Sequence, residues 1–315
     1  MDVRNIKRVY FIGIGGIGMS ALARYFKQQG AAVSGYDRTE TMLTKKLVAE
    51  GIPVHYTDDI TIADKEAELI VYTPAIPKEH TELNWFRDNG YAVYKRSDVL
   101  QWITEALFSV TVAGTHGKTT VSTMIAYLLR EAGAGCNAFL GGISVNYDSN
   151  YWSSKQPTAV VEADEYDRSF LKLRPDIAVL TAMDPDHLDI YGTAEEMEAA
   201  FIQYTANIKA GGTLLVKHGL QRAKDLKGDT IISYSLQNDA ADIYGTNIVQ
   251  KDGGYIFDIV MKGGTIEGLH LPIGGMHNVE NAIAAVAVTQ LMKVDATKVK
   301  AALSGFKGIK RRFEY

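Results

Sequence analysis

The chain has 315 residues, and 33 Lys and Arg stand against 37 Asp and Glu, a formal net charge of −4. That balance gives no reason to expect a nucleic-acid groove or an anionic membrane as partner, and the length exceeds what one hydrophobic core normally supports, so two domains are expected. Cys136 is the only cysteine, which excludes an internal disulfide and a thiolate zinc cage; with no signal-peptide pattern and no apolar run near the ~20 residues that span a bilayer, a cytoplasmic protein is expected.

RVYFIGI (8–14) is a short apolar run rich in β-branched and aromatic residues, and GIGGIGMSALARYFKQQG (13–30) carries helical apolar spacing that ends at Gly30. Strand, glycine turn and helix are predicted. AAVSGYD (31–37) and AELIVYTPAIP (67–77) read as further strands, a helix is expected around 79–89, and YAVYKRSD (91–98) continues the alternation. Such alternation predicts a parallel, doubly wound sheet.

The pattern restarts with LFSVTVAG (107–114) as a strand, GTHGKTT (114–120) as a turn and VSTMIAYLLREAG (121–133) as a helix. A domain boundary is therefore expected near residue 106, giving domains 1–106 and 107–315. TAVVEAD (158–164) and DIAVLTAMD (176–184) read as buried strands, and Thr193 with Glu196 has capping-box spacing. Residues 213–273 change character and predict an antiparallel annex, with a hairpin in which IYGTNIV and YIFDIVM flank KDGG. HNVENAIAAVAVTQLM (277–292) predicts a long helix.

Gly13, Gly15 and Gly18 match G-x-G-x-x-G, and Asp37 follows about 20 residues later. Glycines let the backbone approach a diphosphate, and the helix N-terminus attracts it through free N–H groups; a packed glycine turn is the bland alternative. The motif does not distinguish NAD from another nucleotide. GTHGKTT is more telling. It lacks the first glycine of the G-x-x-x-x-G-K-[ST] spacing, having Val112 there, yet Lys118 can set a charge between terminal phosphates and Thr119 has the hydroxyl position that reaches Mg²⁺. Glu162 ends one strand and His187 follows another, so both could converge on Lys118 at the carboxyl edge of a parallel sheet and hold a divalent cation. Asp184, Asp186 and Asp189 are read as a polar loop with turn and cap duties. His277, Asn278 and Asn281 head the last long helix, where two amides on one face could read an adenine edge or, for Asn278, cap the helix.

GIGGIGMSALA, GTHGKTT, EADEYDRSF, DPDHLDIYG, GMHNVENAIAA and GIKRRFE, in this order, resemble the Mur ligase family over essentially the whole chain. The resemblance implies an α/β protein with a Rossmann-like parallel-sheet domain for a UDP substrate, followed by a P-loop-type α/β ATPase domain with a small antiparallel annex. The family's third domain, which helps bind the amino acid, is expected to be absent, so that the chain binds nucleotide substrates but ligates poorly. The implied activity is ATP-dependent ligation of L-alanine to the lactyl carboxylate of UDP-N-acetylmuramate through an acyl phosphate. Gly15, Gly16, Ile17, Gly18, Met19, Ser20 and Asp37 would meet the UDP substrate. Gly114, Thr115, His116, Gly117, Lys118, Thr119 and Thr120, with His277, Asn278, Asn281 and Arg312, would meet ATP. Thr119, Glu162 and His187 would hold Mg²⁺, and Lys118, Glu162 and His187 would be catalytic. Two departures stand out: Tyr166 replaces a serine common in the nearest members, and VHYTDD (54–59) lacks a glycine-histidine pair. Rival expectations are a recycling ligase that adds a tripeptide to the same substrate, an NAD-dependent oxidoreductase, and a nucleotide-binding regulatory module.

Overall fold

In the computed structural model, residues 3–166, 168–186 and 188–310 are described. The chain divides into two compact units, residues 1–106 with 151–153, and residues 107–150 with 154–315.

In the first unit, β1 (Arg8–Ile12), β2 (Ala32–Tyr36), β3 (Val54–His55), β4 (Leu69–Tyr72) and β5 (Val93–Lys95) form a parallel sheet of order β3-β2-β1-β4-β5. Four helices accompany it: α1 (Ile17–Gln28), α2 (Met42–Ala49), α3 (Thr81–Asp88) and α4 (Arg96–Ala106). Val9, Phe11 and Ile12 of β1 are fully buried, as a central parallel strand covered on both faces requires. The chain winds to one side through β2 and β3, then to the other through β4 and β5, so a crevice opens at the carboxyl ends of β1 and β4. YAVYKRSD holds both the short β5 and the start of α4; the Asp98 carboxylate accepts the Lys95 N–H at 2.9 Å at this corner.

The second unit contains β6 (Phe108–Ala113), α5 (Lys118–Glu131), β7 (Asn137–Ser144), β8 (Ser149–Trp152), β9 (Thr158–Glu162), β10 (Ile177–Leu180), α6 (Leu188–Tyr191) and α7 (Ala194–Thr205). It continues with β11 (Thr213–Lys217), β12 (Thr230–Ser235), β13 (Ile243–Lys251), β14 (Gly254–Met261), β15 (Gly264–Leu271), α8 (Met276–Leu291) and α9 (Ala296–Leu303). The sheet order is β15-β14-β13-β12-β11-β10-β6-β9-β7-β8. α8 is buried along most of its length, from Val279 through Ala282 to Thr289, because ENAIAAVAV is apolar nearly all round.

The antiparallel part is smaller than residues 213–273. Within residues 213–273, β11 and β12 extend the parallel sheet, and the β13–β14 and β14–β15 pairs are antiparallel. Runs such as TLLVK and TIISYS reveal a strand but carry no sign of its direction. The hairpin after β13 does form: Lys251 pairs with Gly254, and Asp252 and Gly253 have φ of 49° and 78°, the two positive values of a tight two-residue turn. Thr193 caps α7 by accepting the Glu196 N–H at 3.2 Å.

Candidate functional site

β6, β9 and β10 run parallel in register, Val112 opposite Glu162 and Ala113 opposite Leu180, so their carboxyl ends share one edge of the second sheet. GTHGKTT leaves β6 at this edge. Gly117 precedes α5 with φ of 81°, a left-handed conformation that a side chain would disfavour, and no side chain caps the helix. The first-turn N–H groups are thereby left available to an anion. Here a cavity of ≈ 430 Å³ is lined by Thr115, Gly117, Lys118, Thr119, Thr120, Glu162, Asp164 and Tyr166. The loop is braced from β10's side: the Thr181 hydroxyl reaches the carbonyls of Ala113 and His116, and Thr115 Oγ1 accepts the Asp184 N–H at 3.2 Å. His116 is exposed, with Nε2 3.9 Å from the Asp184 carboxylate.

Glu162 is bound into this wall from two directions. Thr119 Oγ1 donates to its Oε1 at 2.9 Å, and the Gly141 N–H of β7 donates to its Oε2 at 2.9 Å. Burial pushes the Glu162 carboxyl above the usual range, against the pull of the Thr119 hydroxyl, the Gly141 N–H and the Lys118 charge. A side chain at Gly141 would force Glu162 to move, since an added Cβ would lie 2.3 Å from Glu162 Oε1. Lys118 Nζ donates to the Gly114 carbonyl at 2.8 Å and to Glu165 Oε1 at 2.6 Å. Among the described residues no group of three or more His, Cys, Asp and Glu side chains is arranged to hold a metal; the oxygen donors in the cavity wall include the hydrogen-bonded pair Thr119 and Glu162, and Asp164.

Sequence reasoning missed Glu165 and Gly141. Glu165 sits in the quoted EADEYD and its charge was the available signal; Gly141 acts through a backbone N–H, for which the sequence carries only the paired glycines of NAFLGGIS. His187 and Arg312 lie outside the described residues. Asn281 comes to the phosphate loop, its Oδ1 2.8 Å from where a Gly117 Cβ would be. Asn278 leaves the capping position to Gly275; its Nδ2 donates to the Gly274 carbonyl at 2.7 Å and its Oδ1 accepts from Asn281 Nδ2 at 3.4 Å. His277 is exposed and packs over Gly275. Asp186 and Asp189 have no place in the lining of the cavity.

The first unit has its own cavity of ≈ 490 Å³ at the crevice, with Gly13, Gly16, Tyr36, Asp37, Asp58, Thr73, Pro77 and His80 among its walls. The Gly15 N–H donates to Asp37 Oδ2 at 2.7 Å, so Asp37 braces the glycine loop. Gly18 lies under Arg96, whose Nη1 is 2.2 Å from the site of a Gly18 Cβ. Ile17 opens α1, while Met19 and Ser20 point into the core, the Ser20 hydroxyl donating to the Ile17 carbonyl at 2.9 Å. VHYTDD is used for packing as well as lining: Tyr10 Oη meets His55 Nε2 at 2.6 Å and Glu82 Oε2 at 2.5 Å, and Asp58 accepts the Thr81 and Glu82 N–H groups at 2.8 and 3.0 Å. Burial pushes the Glu82 carboxyl up to about 7 and lowers His55 and His80 below the usual histidine range.

A parallel sheet whose central strand runs into a lysine-bearing glycine loop and an uncapped helix, with a carboxylate on the adjoining strand, defines an α/β protein that binds nucleotide phosphates. Residues 8–107 match the Mur ligase family, catalytic domain, and residues 112–289 the Mur ligase middle domain. A UDP-N-acetylmuramate–L-alanine ligase of Porphyromonas gingivalis is 48% identical over 316 residues, 98% of this chain and 69% of that protein. Its counterpart in Phocaeicola vulgatus is 46% identical over 321 residues, covering 100% of this chain and 70% of that protein. Among solved structures, the UDP-N-acetylmuramate-alanine ligase MurC of Thermotoga maritima superposes with a TM-score of 0.83 at 28% identity, covering 98% of this chain and 70% of that one. The UDP-N-acetylmuramate:L-alanyl-gamma-D-glutamyl-meso-diaminopimelate ligase of Neisseria meningitides gives 0.85 at 27% identity, covering 97% and 100%. The chain belongs to the Mur ligase family.

Proposed function

We propose that the chain is an ATP-dependent ligase that joins L-alanine to UDP-N-acetylmuramate, a step of peptidoglycan precursor synthesis, with the phosphates of ATP on residues 114–120 and the UDP substrate at the crevice of the first unit. The reading rests on one juxtaposition: Lys118, Thr119 and Glu162 line a single cavity, in a chain 48% identical to an alanine ligase over 98% of its length. A carboxylate is a poor electrophile, which is why the reaction needs ATP. One oxygen of the lactyl carboxylate attacks the γ-phosphorus and ADP leaves; the free amine of L-alanine then attacks the acyl phosphate carbonyl, phosphate departs with the C–O bond electrons and takes up the proton lost from the nitrogen, and an amide remains.

The chain's own part is positioning and charge. The N–H groups at the start of α5 and the Lys118 ammonium offset the negative charge of the terminal phosphates. The hydroxyl of Thr119 and the carboxylate of Glu162 are hard oxygen donors that suit Mg²⁺, with His187 as a further ligand; bound there, the ion would supply charge neutralisation at the phosphates. Asn281, close to Gly117, supports an adenosine pocket shared with His277 and Asn278, and Arg312 is assigned to the phosphates by family likeness alone. Gly15, Gly16, Ile17, Gly18 and Asp37 form the loop for the UDP diphosphate; Met19 and Ser20, buried in α1, support it from behind. Of the described helices, none is long and apolar enough to cross a membrane, and a cytoplasmic enzyme is the reading that suits an ATP-consuming step.

A ligase that adds a peptide to the same substrate is favoured by the TM-score of 0.85 to the Neisseria protein, but identity of 27% there against 48% to the Porphyromonas protein favours alanine. Calorimetric titration tests the reading. UDP-N-acetylmuramate and a non-hydrolysable ATP analogue are each expected to bind and NADH to give no heat; NADH binding without a response to the UDP-sugar would point to an oxidoreductase and overturn it.

A further inference from the structure

Lys118 does not stand free in the phosphate cavity. Its ammonium has three N–H donors, and two are committed, one to the Gly114 carbonyl at 2.8 Å and one to Glu165 Oε1 at 2.6 Å. The lysine side chain is 15% exposed and the Glu165 side chain 0%. Glu165 is itself fixed: its carbonyl accepts the Tyr191 hydroxyl at 2.7 Å and the Arg168 N–H at 3.0 Å, and Tyr191 is buried. An ammonium that left this carboxylate for a phosphate would give up a charge-assisted hydrogen bond to a fully buried carboxylate, and breaking such a pair is costly. The tetrahedral arrangement turns the remaining N–H away from the two occupied directions, and Lys118 lines the cavity with Thr115, Gly117, Thr119 and Thr120.

Building on the ATP-site reading above, we propose that Glu165 is a positioning residue for phosphoryl transfer: it keeps the Lys118 ammonium anchored while nucleotide is bound, so that only the third N–H serves the terminal phosphates. Two effects oppose each other. The carboxylate repels the incoming phosphates and weakens their binding, yet it holds the ammonium in one orientation, which favours a defined geometry at the reacting phosphorus over tight ground-state binding.

Titration of the full chain with the magnesium complexes of a non-hydrolysable ATP analogue and of ADP, and with adenosine, separates this role from a structural one. Glu165→Gln is expected to bind the two phosphorylated ligands about tenfold more tightly, since one like charge is removed from the cavity wall. Adenosine affinity stays unchanged, and Glu165→Asp, which keeps the charge, stays close to wild type. Unchanged or weaker binding of the phosphorylated ligands by Glu165→Gln overturns the proposal. Failure of wild type to bind the ATP analogue at all removes the underlying site reading instead. A second readout needs no Glu165 variant: in a ¹⁵N-lysine spectrum of wild type, an ammonium signal absent from Lys118→Ala should persist in slow exchange after the analogue is added. Its loss on nucleotide binding would mean that the lysine leaves Glu165, and would equally overturn the proposal.

Discussion

The loop after β1 and the loop after β6 begin alike, a buried strand running into glycines and an uncapped helix, and they part at the first helical turn. In the first unit Gly16 precedes α1 in an extended conformation, φ −64° and ψ 144°, and the Asp37 carboxylate accepts the Gly15 N–H of the loop. In the second, Gly117 precedes α5 with φ of 81°, Lys118 is the first helical residue, and Glu162 and Glu165 reach the lysine-threonine pair from outside the helix. One loop is braced by an acid and has cations near it from other segments, Arg96 at Gly18 and Arg38 in the cavity wall; the other carries its own cation with acids around it. A ligand that is merely held needs the dipole and close backbone approach. A phosphoryl group that is to be transferred also needs charge that is fixed in place.

That contrast can be broken most forcefully at Lys118. Lys118→Ala removes the cation of the second loop and breaks the ion pair to the buried Glu165, so binding of the ATP analogue should weaken by about 100-fold and urea unfolding should show a loss of about 3 kcal/mol. Binding of UDP-N-acetylmuramate should be untouched. Gly141→Ala acts next. Its Cβ would fall 2.3 Å from Glu162 Oε1, and displacing that carboxylate should cut the Mg²⁺-dependent part of ATP-analogue affinity by about tenfold, read by titration with and without the metal.

On the side of the first unit, Glu82 gives a pH signature. Its carboxyl is raised from 4.5 to about 7 in the folded state, so the native protein holds a proton that the unfolded chain releases between those values. The group's contribution is full below the unfolded value and is lost as pH rises through about 7. Glu82→Gln lacks that loss; relative to wild type its stability should climb between pH 5 and 8 by on the order of 1 kcal/mol, measured by urea midpoints. A flat difference would mean that burial does not hold the proton there. The smallest effect belongs to Gly18→Ala, where the added Cβ meets the flexible end of Arg96. Shifting that guanidinium should weaken UDP-N-acetylmuramate by about threefold, the scale of charge effects at a helix N-terminus, and leave the ATP analogue unaffected.

The parts of this contrast that could be read from the sequence are those written in consecutive residues. GTHGKTT sets its glycine, lysine and threonine at one strand–helix junction, and Glu162 ends an unmistakable apolar strand, so both were legible. Glu165 stands in EADEYD without any local sign of its role, because what matters is an ion pair with a lysine 47 positions away. β7 was overlooked, since glycines at 141 and 142 weaken its strand signal while making room for Glu162 and Thr119. Met19 and Ser20 show the reverse: they stand inside a recognisable motif, yet α1 turns both to the core. The direction of β11 and β12 escaped for another reason, that apolar alternation specifies a face and never a sense of travel.

The central claim is that ATP phosphates settle on the lysine-bearing loop of the second unit. A crystal structure with Mg²⁺, a non-hydrolysable ATP analogue and UDP-N-acetylmuramate tests it directly. The account predicts β- and γ-phosphates against the N–H groups of residues 114–120 and Lys118 Nζ, a metal touching Thr119 and Glu162, and Glu165 still bonded to the lysine. Triphosphate electron density in the glycine loop of the first unit, with the second cavity free of nucleotide, would contradict it.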